Sequence, residues 1–334
     1  MKKTILSLLF LCFCNALFAQ FQVGDAQVPT GGRAGSLDDD DLAMFKKSTT
    51  IFVVQAGDKG RMEDFNKSIA DVWKITPYRV ITPDSLRFFQ GRNYSWFTFG
   101  GFTVEHRSPS MSYSNTHISY DLTIPEYNKR GEQKGRTILA GFILSPDMES
   151  VMDLSAPRST FEGRKARERR EEQEASTLNR TAAYSNWGPG QIRGYLKAIN
   201  DNLSAHERHG MFEELSDDQR LRALKNDTLY LPSYLNVKLN PFTGSERAKN
   251  DGDADEDVNK VYPYPHRYVS KEELENMLVH ATKPIYHLIY VRSSTNKFVS
   301  VVEAKSARII YSEFHNVSYN FKNKDLKKLA KAIE

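Results

Sequence analysis

The chain has 334 residues, of which 40% are hydrophobic, 26% charged and 11% aromatic. This composition is ordinary for a globular protein and excludes the disordered, collagen-like and multi-span membrane classes. At roughly 150 residues per domain, the length predicts two domains. The formal net charge of +4 is small, and no basic stripe is interleaved with aromatic residues, so we expect no nucleic-acid partner.

Residues 1–19 have the order of segments that is typical of a secretory signal peptide. Lys2 and Lys3 form a positive start, an almost unbroken apolar run follows from Thr4 to Phe18, and Ala19 is a small residue suited to cleavage. About 15 apolar residues are too few to span a bilayer comfortably, and an uncleaved N-terminal anchor is the alternative. We therefore expect an exported protein, periplasmic or extracellular, with no transmembrane segment in the mature chain.

Both cysteines, Cys12 and Cys14, lie inside that segment. Their removal would leave a mature chain without cysteine, which excludes disulfide bonds, thiolate metal sites and cysteine nucleophiles. The loss of Lys2 and Lys3 would also lower the net charge from +4 by two units. The mature protein is thus expected to be nearly neutral and to fold by core packing alone.

Four segments are predicted after the signal peptide. They are a flexible lead-in at 20–41, a first α/β lobe at 42–150, a charged bridge with an interlobe helix at 151–215, and a second α/β lobe at 216–334. The lead-in is assigned because its Gly, Pro, Ser and Asp residues show no apolar period.

The first lobe begins with a strand at 49–54, whose continuous apolar residues indicate burial on both faces. A helix around 62–73 and a short strand at 78–81 follow, and Thr82-Pro83 begins a second helix. Three further strands complete the lobe: Tyr94–Val104, His117–Ile124 and Thr137–Leu144.

The second lobe repeats this order. The first strand aligns Thr50 with Thr228, and a strand-to-helix junction aligns Pro77 with Pro265. Three strands then mirror the last three of the first lobe: Ile285–Arg292, Phe298–Glu303 and Arg308–Phe314. We therefore predict an α/β fold, of the α+β kind with mixed sheets, in which two similar lobes arise from a tandem duplication. The alternative is two unrelated lobes whose junctions resemble each other through shared capping chemistry.

The bridge between the lobes has two parts. Residues 162–174 carry Arg and Glu that pair at i,i+4 spacing, which indicates an exposed helix or a disordered segment. Trp187-Gly188-Pro189 then begins a helix that we expect to pack between the lobes. Its apolar face consists of Ile192, Tyr195, Leu196, Ile199 and Leu203.

His117, Ser119 and Asp121 combine a base, a nucleophile and an acid on one face of a predicted strand. Successive residues on one face stand about 6.5–7 Å apart, whereas a catalytic triad needs contacts near 3 Å. We therefore interpret the three residues as the solvated face of an antiparallel strand.

Three other motifs match chemical sites only in part. The acidic loop 250–257 has the alternate-Asp spacing of a calcium loop but lacks the glycine of an EF-hand, so only a weaker calcium site stays open. His206 and His209 lack a third metal ligand, and we expect two solvated histidines on a helix surface. Ser294 and Lys297 match a serine–lysine acyl enzyme but lie in a predicted hairpin turn.

Glycine and aromatic patterns give no cofactor site. Gly188, Gly190 and Gly194 fail the dinucleotide-binding fingerprint in spacing, and the chain contains no Walker loop and no Gly-x-Ser-x-Gly elbow. Aromatic residues crowd the strand that contains Gly100 and Gly101, where we expect core packing with the glycine pair as a β-bulge. An exposed aromatic surface for a peptide or a glycan is the alternative.

Two functions remain from these observations. The first is a non-enzymatic binding or assembly module of the cell envelope, with a protein or a glycan as its partner. The second is a secreted hydrolase whose site is assembled across the interlobe cleft. From the sequence we assign no catalytic residue, no metal ligand and no cofactor, and the binding residues are unknown. Carboxylates or histidines from the two lobes that converge within hydrogen-bond reach in an interlobe pocket would favour the hydrolase, and an exposed aromatic strip or sheet edge would favour partner binding.

Overall fold

The structure is a computed structural model, which describes residues 20–24, 35–107, 112–147, 150, 183–240, 245–248 and 258–334. The predicted signal peptide, the charged segment 162–174 and the acidic loop 250–257 lie outside the described residues. The hypothesis of a weak calcium site in that loop therefore stays a prediction.

The first lobe contains one mixed sheet. Its elements are β1 (Phe21–Val23), α1 (Asp39–Lys46), β2 (Thr49–Val53), α2 (Met62–Val72), β3 (Tyr78–Ile81), β4 (Tyr94–Arg107), β5 (Ser112–Tyr127) and β6 (Gln133–Leu144), with 3₁₀ helices at Ala56–Arg61 and Pro83–Phe88. The strand order is β1-β6-β5-β4-β2-β3. β2 is parallel to β3 and β4, and the other neighbours are antiparallel.

The second lobe contains another mixed sheet. The elements that follow in the chain are α3 (Pro189–Ala205), β7 (Leu215–Ser216), α4 (Asp218–Leu221), β8 (Leu229–Pro232), β9 (Val237–Leu239), β10 (Glu246–Ala248), α5 (Val258–Val261), β11 (His266–Val269), α6 (Lys271–Val279), β12 (Tyr286–Ser293), β13 (Asn296–Glu303), β14 (Arg308–His315) and α7 (Asn323–Ile333). The strand order is β11-β8-β12-β13-β14-β7, while β9 and β10 form a separate pair.

The two six-stranded sheets have the same topology. Each strand from β1 to β6 has a counterpart at the same place and in the same relative direction, in the pairs β1/β7, β2/β8, β3/β11, β4/β12, β5/β13 and β6/β14. The predicted fold class, mixed α/β with two similar lobes, is confirmed. A common origin of the lobes stays a prediction, because two sheets can share a strand order without sharing ancestry.

The first strands of the two lobes match in a register that differs from the sequence alignment. The backbone N–H of Thr50 donates to the carbonyl of Pro77 at 2.8 Å, and Leu229 donates to Pro265 at 3.0 Å. Thr50 is thus the counterpart of Leu229 and not of Thr228. The difference matters because a slip of one residue turns every side chain of a strand to the opposite face.

The predicted flexible lead-in at 20–41 is wrong in its described parts. Phe21–Val23 pair with β6, and the whole of β1 is buried. At the other end of the lead-in, Asp38 accepts hydrogen bonds from the backbone of Asp40 and Asp41 and so caps α1. No helix in the described ranges is long and apolar enough to cross a membrane.

Helix α3 packs between the two sheets, as the sequence predicts. All five residues of its predicted apolar face are buried in a core that draws on both lobes. Tyr195 stacks on Phe142 of β6 with ring centroids 4.4 Å apart, and Gly194 packs against Val302 of β13. Burial of each large apolar side chain contributes about 1.5–3 kcal/mol, so α3 is a main link between the lobes.

The predicted β-bulge at Gly100 and Gly101 is wrong. The pairing of β4 with β5 runs through both glycines without a register shift. A Cβ on Gly101 would lie 2.8 Å from the carbonyl oxygen of His117, so the glycine permits a close approach of the backbones. Trp96 and Phe97 of the same strand are fully buried, in accordance with core packing.

Candidate binding cleft between the lobes

A cavity of about 460 Å³ opens between the 3₁₀ helix before α2 in the first lobe and α6 in the second. We call it the interlobe cleft. The segment that leads into α3 contributes Tyr184 and Trp187 to its wall. Six charged side chains line it: Asp58, Arg61, Asp64, Lys271, Glu272 and Glu275.

Asp58 is held by the segment before α3. The indole Nε1 of Trp187 donates a hydrogen bond of 2.7 Å to Asp58 Oδ2. Burial raises the pKa of Asp58 above its ordinary value, although the hydrogen bond from Trp187 and the nearby charge of Arg61 oppose that rise. Asp58 is therefore a positioned carboxyl group whose proton affinity is increased by its surroundings.

Glu275 connects three elements through one carboxylate. Its Oε1 accepts hydrogen bonds from the backbone N–H of Gly190 at 2.7 Å and from Arg61 Nη2 at 3.0 Å. The first contact satisfies a free N–H in the first turn of α3, where a negative charge also complements the helix dipole. Burial raises the pKa of Glu275, and the contacts with Gly190 and Arg61 oppose the rise. Its other oxygen, Oε2, is buried without a hydrogen-bond partner among the described residues.

The glycines before and within α3 let Glu275 come this close. A Cβ on Gly188 would lie 2.7 Å from the Glu275 carboxylate, and a Cβ on Gly190 would lie 2.5 Å from Cβ of Leu278. Real side chains do not tolerate such distances without a shift. The glycines that fail the dinucleotide fingerprint are thus explained by close packing of α3 against α6.

Lys271 closes the cleft on the side of α6. Its ammonium donates a hydrogen bond of 2.6 Å to the carbonyl of Tyr184. Burial lowers the pKa of Lys271, while the neighbouring carboxylates of Glu275 and Glu272 act in the opposite direction. The lysine is fixed by the same segment that presents Trp187 to Asp58.

The lining of the cleft carries more negative than positive charge. Four carboxyl groups face two cations, and Asp64 and Glu272 take part in none of the contacts above. A concave surface of one predominant sign attracts ligand groups of the opposite sign. The cleft is therefore suited to a cationic group, and the charges that hold the lobes together also shape its wall.

His117, Ser119 and Asp121 do not form the solvated face that the sequence predicts. All three are buried. Ser119 Oγ donates to Asp121 Oδ2 at 2.7 Å, whereas Nδ1 of His117 makes its contact of 2.7 Å with Ser293 Oγ of the second lobe. Burial raises the pKa of Asp121 to about 7. The structure thus brings the serine and the aspartate together and directs the histidine elsewhere.

The two histidines after α3 also differ from the prediction. The helix ends at Ala205, and His206 has a left-handed φ of 57°, so His206 and His209 do not share a helix surface. His209 is buried and stacks on Phe21 with ring centroids 4.2 Å apart. Within the described ranges, no group of three His, Cys, Asp or Glu side chains could hold a metal ion.

Ser294 lies in the predicted hairpin turn. Ser293 pairs with Asn296, which leaves Ser294 and Thr295 as a two-residue loop between β12 and β13. Lys297 is fully buried and forms an ion pair of 2.5 Å with Asp325 of α7. This lysine has a structural partner away from Ser294, so the turn interpretation is confirmed.

A sheet edge is the other kind of surface expected for partner binding, and β3 and β11 are outermost strands at corresponding places of the two sheets. Each edge strand has four residues and presents an exposed arginine, Arg79 or Arg267. Short, charged edge strands discourage the addition of another strand. We therefore place the candidate site in the interlobe cleft.

No protein-family model, no curated protein and no solved structure matches this chain. The functional argument consequently depends on the geometry and charge of the cleft.

Proposed function

We propose that this protein is an exported, non-enzymatic binding module of the cell envelope, and that its interlobe cleft takes a basic side chain of a partner protein. One observation carries the proposal: both lobes contribute to a cavity in which four carboxyl groups outnumber two cations. A Lys or Arg side chain would bring positive charge to a wall with an excess of negative charge. Export is supported by the signal-peptide pattern of residues 1–19.

Binding is favoured over catalysis because the acid and base groups of the cleft already have structural contacts. Asp58 accepts from Trp187, Glu275 accepts from Gly190 and Arg61, and Lys271 donates to the Tyr184 carbonyl. The described lining also contains no Ser, Thr or Cys that could act as a nucleophile.

The proposal is tested by calorimetric titration with a capped pentapeptide that carries one central lysine. We expect this peptide to bind and its affinity to fall as salt rises, because the attraction is screened. The same peptide with norleucine in place of lysine should not bind.

The variant for this titration is Asp64→Asn combined with Glu272→Gln, since these two carboxylates take no part in holding the lobes. We expect affinity to fall by roughly tenfold, from about 0.7 kcal/mol per partly exposed charge. Glu63→Gln is the matched control, because Glu63 lies on α2 beside Asp64 but outside the cleft lining. Equal binding of the norleucine peptide, or no loss in the double variant, would overturn the proposal.

The secreted hydrolase remains a second candidate because of one specific observation. Asp58 and Glu275 come from different lobes, line one cavity, and each has a pKa that burial raises. Carboxyl groups with shifted pKa values often act as general acids in hydrolases. The test is turnover of peptide, ester and glycoside substrates by the wild type and by Asp58→Asn. The binding proposal predicts no turnover in either protein, and turnover that Asp58→Asn loses while its unfolding curve is unchanged would replace it.

A further inference from the structure

A second cavity, of about 530 Å³, lies on the same junction between the lobes. We call it the cationic cavity. Its wall is formed by the carboxyl end of α2, by α3, and by the turn between β13 and β14. Six charged side chains line it: Asp71, Lys74, Arg193, Lys197, Asp201 and Lys305.

Both carboxylates of this cavity are already paired. Arg193 Nη2 lies 3.2 Å from Asp71 Oδ2, and Lys197 Nζ lies 2.8 Å from Asp201 Oδ2. Lys74 donates only to the carbonyl of Ala70 in its own helix. The ammonium groups of Lys74 and Lys305 therefore have no carboxylate partner in the described part of the chain, and the lining carries two uncompensated positive charges.

Arg193 gives the cavity a fixed cationic group. Its side chain is 10% exposed, and Nη1 donates to the carbonyl of Leu278 at 3.3 Å. Its Nε is buried without a hydrogen-bond partner among the described residues. A planar guanidinium held in this way presents donors in a fixed geometry that suits a phosphate or carboxylate oxygen.

The α2 helix separates this charge from that of the interlobe cleft. Asp64 faces the cleft, and Asp71 lies seven residues further along the helix at the cationic cavity. At about 1.5 Å per residue, the two lie roughly 10 Å apart along the axis. The two cavities are therefore distinct in position and opposite in net charge.

We propose that the cationic cavity binds the phosphate group of a phosphate monoester, whose charge of about −2 matches the two lysines that lack a carboxylate partner. The phosphate would lie beside the Arg193 guanidinium, with Lys74 and Lys305 closing over it from opposite lobes. Such a group can belong to a free metabolite or to a lipid headgroup, and the chemistry of recognition is the same in both. The inference does not depend on the function proposed for the interlobe cleft.

The experiment is a titration of the full mature chain with inorganic phosphate and with glycerol 3-phosphate, at an ionic strength fixed with sodium chloride. Amide signals of Lys305 and Ser306 in ¹H–¹⁵N spectra report binding at the site. We expect both ligands to shift these signals in a saturable way. If added chloride alone shifts them equally, or if phosphate shifts nothing, the proposal is overturned.

The variant is Lys74→Gln combined with Lys305→Gln, which leaves both ion pairs in place. Each exposed lysine is expected to account for about threefold to fivefold in affinity, so the double variant should bind phosphate roughly tenfold to 25-fold more weakly. Lys67→Gln, exposed on α2 outside the cavity, is the matched control. Unchanged affinity in the double variant would contradict the site.

Vesicles of phosphatidylcholine with and without phosphatidic acid identify the source of the phosphate. Tighter binding to phosphatidic acid vesicles than to glycerol 3-phosphate supports a lipid headgroup, and the reverse supports a free monoester. Binding to plain phosphatidylcholine that equals binding to phosphatidic acid would overturn recognition of a phosphate monoester.

Discussion

Single residues that bridge the lobes decide how the cleft is built. Glu275 shows this most clearly, because one carboxylate satisfies the amino end of α3 and pairs with Arg61 of the first lobe. Its neighbour Glu272 is exposed and has neither contact. Glu272 and Glu275, two of the three glutamates of α6, therefore have different roles, although nothing in their sequence spacing separates them.

Glu275→Ala is expected to destabilise the protein by about 2 kcal/mol, because it leaves a buried N–H of α3 without a partner and removes the bond to a partly exposed arginine. Glu272→Gln is the control and should stay within about 0.5 kcal/mol of the wild type. Urea unfolding followed by circular dichroism measures both. An alanine variant as stable as the control would show that the carboxylate does not hold the lobes.

The lowered pKa of His287 makes the stability of the protein depend on pH. Burial, with a further contribution from the charge of Arg193, lowers its pKa from 6.5 to about 3. As the pH falls, His287 is therefore protonated in the unfolded chain before it is protonated in the folded protein. The contribution of His287 to the free energy of unfolding is fully present above pH 6.5. It is lost progressively between pH 6.5 and about 3, by up to about 1.4 kcal/mol per pH unit.

The variant His287→Leu removes the titration while keeping a similar volume in the core. Its unfolding free energy should fall less steeply than that of the wild type between pH 6.5 and 4.5. Urea unfolding at three pH values measures the two slopes. Parallel slopes would mean that His287 does not stay neutral in the folded protein.

At the scale of elements, the approach of α6 to α3 fixes the geometry of the cleft. Gly190 and Gly194 both lie in α3, but an added Cβ would meet very different surroundings. At Gly190 it would lie 2.5 Å from Cβ of Leu278, whereas at Gly194 the nearest atom is Cγ1 of Val302 at 3.2 Å. The Cγ1 atom of Val302 can shift by a short displacement of its side chain. Cβ of Leu278, in contrast, can move only together with the α6 backbone.

Gly190→Ala is expected to destabilise the protein by about 1–3 kcal/mol through overpacking. Gly194→Ala should be close to neutral, because the gain in helix propensity of up to about 1 kcal/mol offsets the tighter contact. Thermal unfolding of the two variants measures the difference. Similar melting temperatures for both would contradict the close packing of α3 against α6.

Elements with a clear period can be predicted from this sequence, and contacts between distant elements cannot. The apolar face of α3 follows from its helical period, because burial on one face dictates the spacing, and the strands predicted at 94–104, 117–124, 137–144, 285–292, 298–303 and 308–314 overlap β4, β5, β6, β12, β13 and β14. The cleft cannot be predicted from periodicity, since Asp58 and Glu275 lie in different lobes. Its one sequence signal is the glycine pair around Pro189, which indicates a close approach without naming the partner.

The wrong prediction for β5 also concerns contacts that the sequence does not determine, here between residues of a single strand. Spacing along β5 places Ser119 and Asp121 too far apart for contact, yet their side chains lean toward each other and bond at 2.7 Å. Burial of this face also cannot be derived from an alternating pattern, because polar residues on a strand look alike whether water or another lobe covers them. His117 finds its partner in Ser293, across the lobe boundary.

At the scale of the whole molecule, one of the four hydrophobic core clusters of the described residues joins the lobes, and each of the other three lies within a single lobe. Residues of both sheets and α3 belong to a single cluster of buried side chains. The two cavities of opposite charge lie along the junction that this core creates. The lobes are therefore expected to behave as one cooperative unit, in spite of their separate sheets.

A single unfolding transition follows from the shared core. Circular dichroism, which follows both sheets, and tryptophan fluorescence, which follows the first lobe and the segment before α3, should give coincident curves. Two transitions, or a fluorescence midpoint well separated from that of circular dichroism, would show that the lobes unfold independently and that α3 does not couple them.

The most direct measurement of the central claim uses the three tryptophan side chains. Trp187 donates its indole N–H to Asp58 in the cleft, whereas Trp73 donates to Thr76 and Trp96 to the Phe89 carbonyl. In ¹H–¹⁵N spectra recorded during titration with the lysine peptide, the Trp187 indole signal should move and saturate while the other two stay in place. A Trp187 signal that does not respond, or three signals that move together, would contradict a cleft that binds a basic side chain.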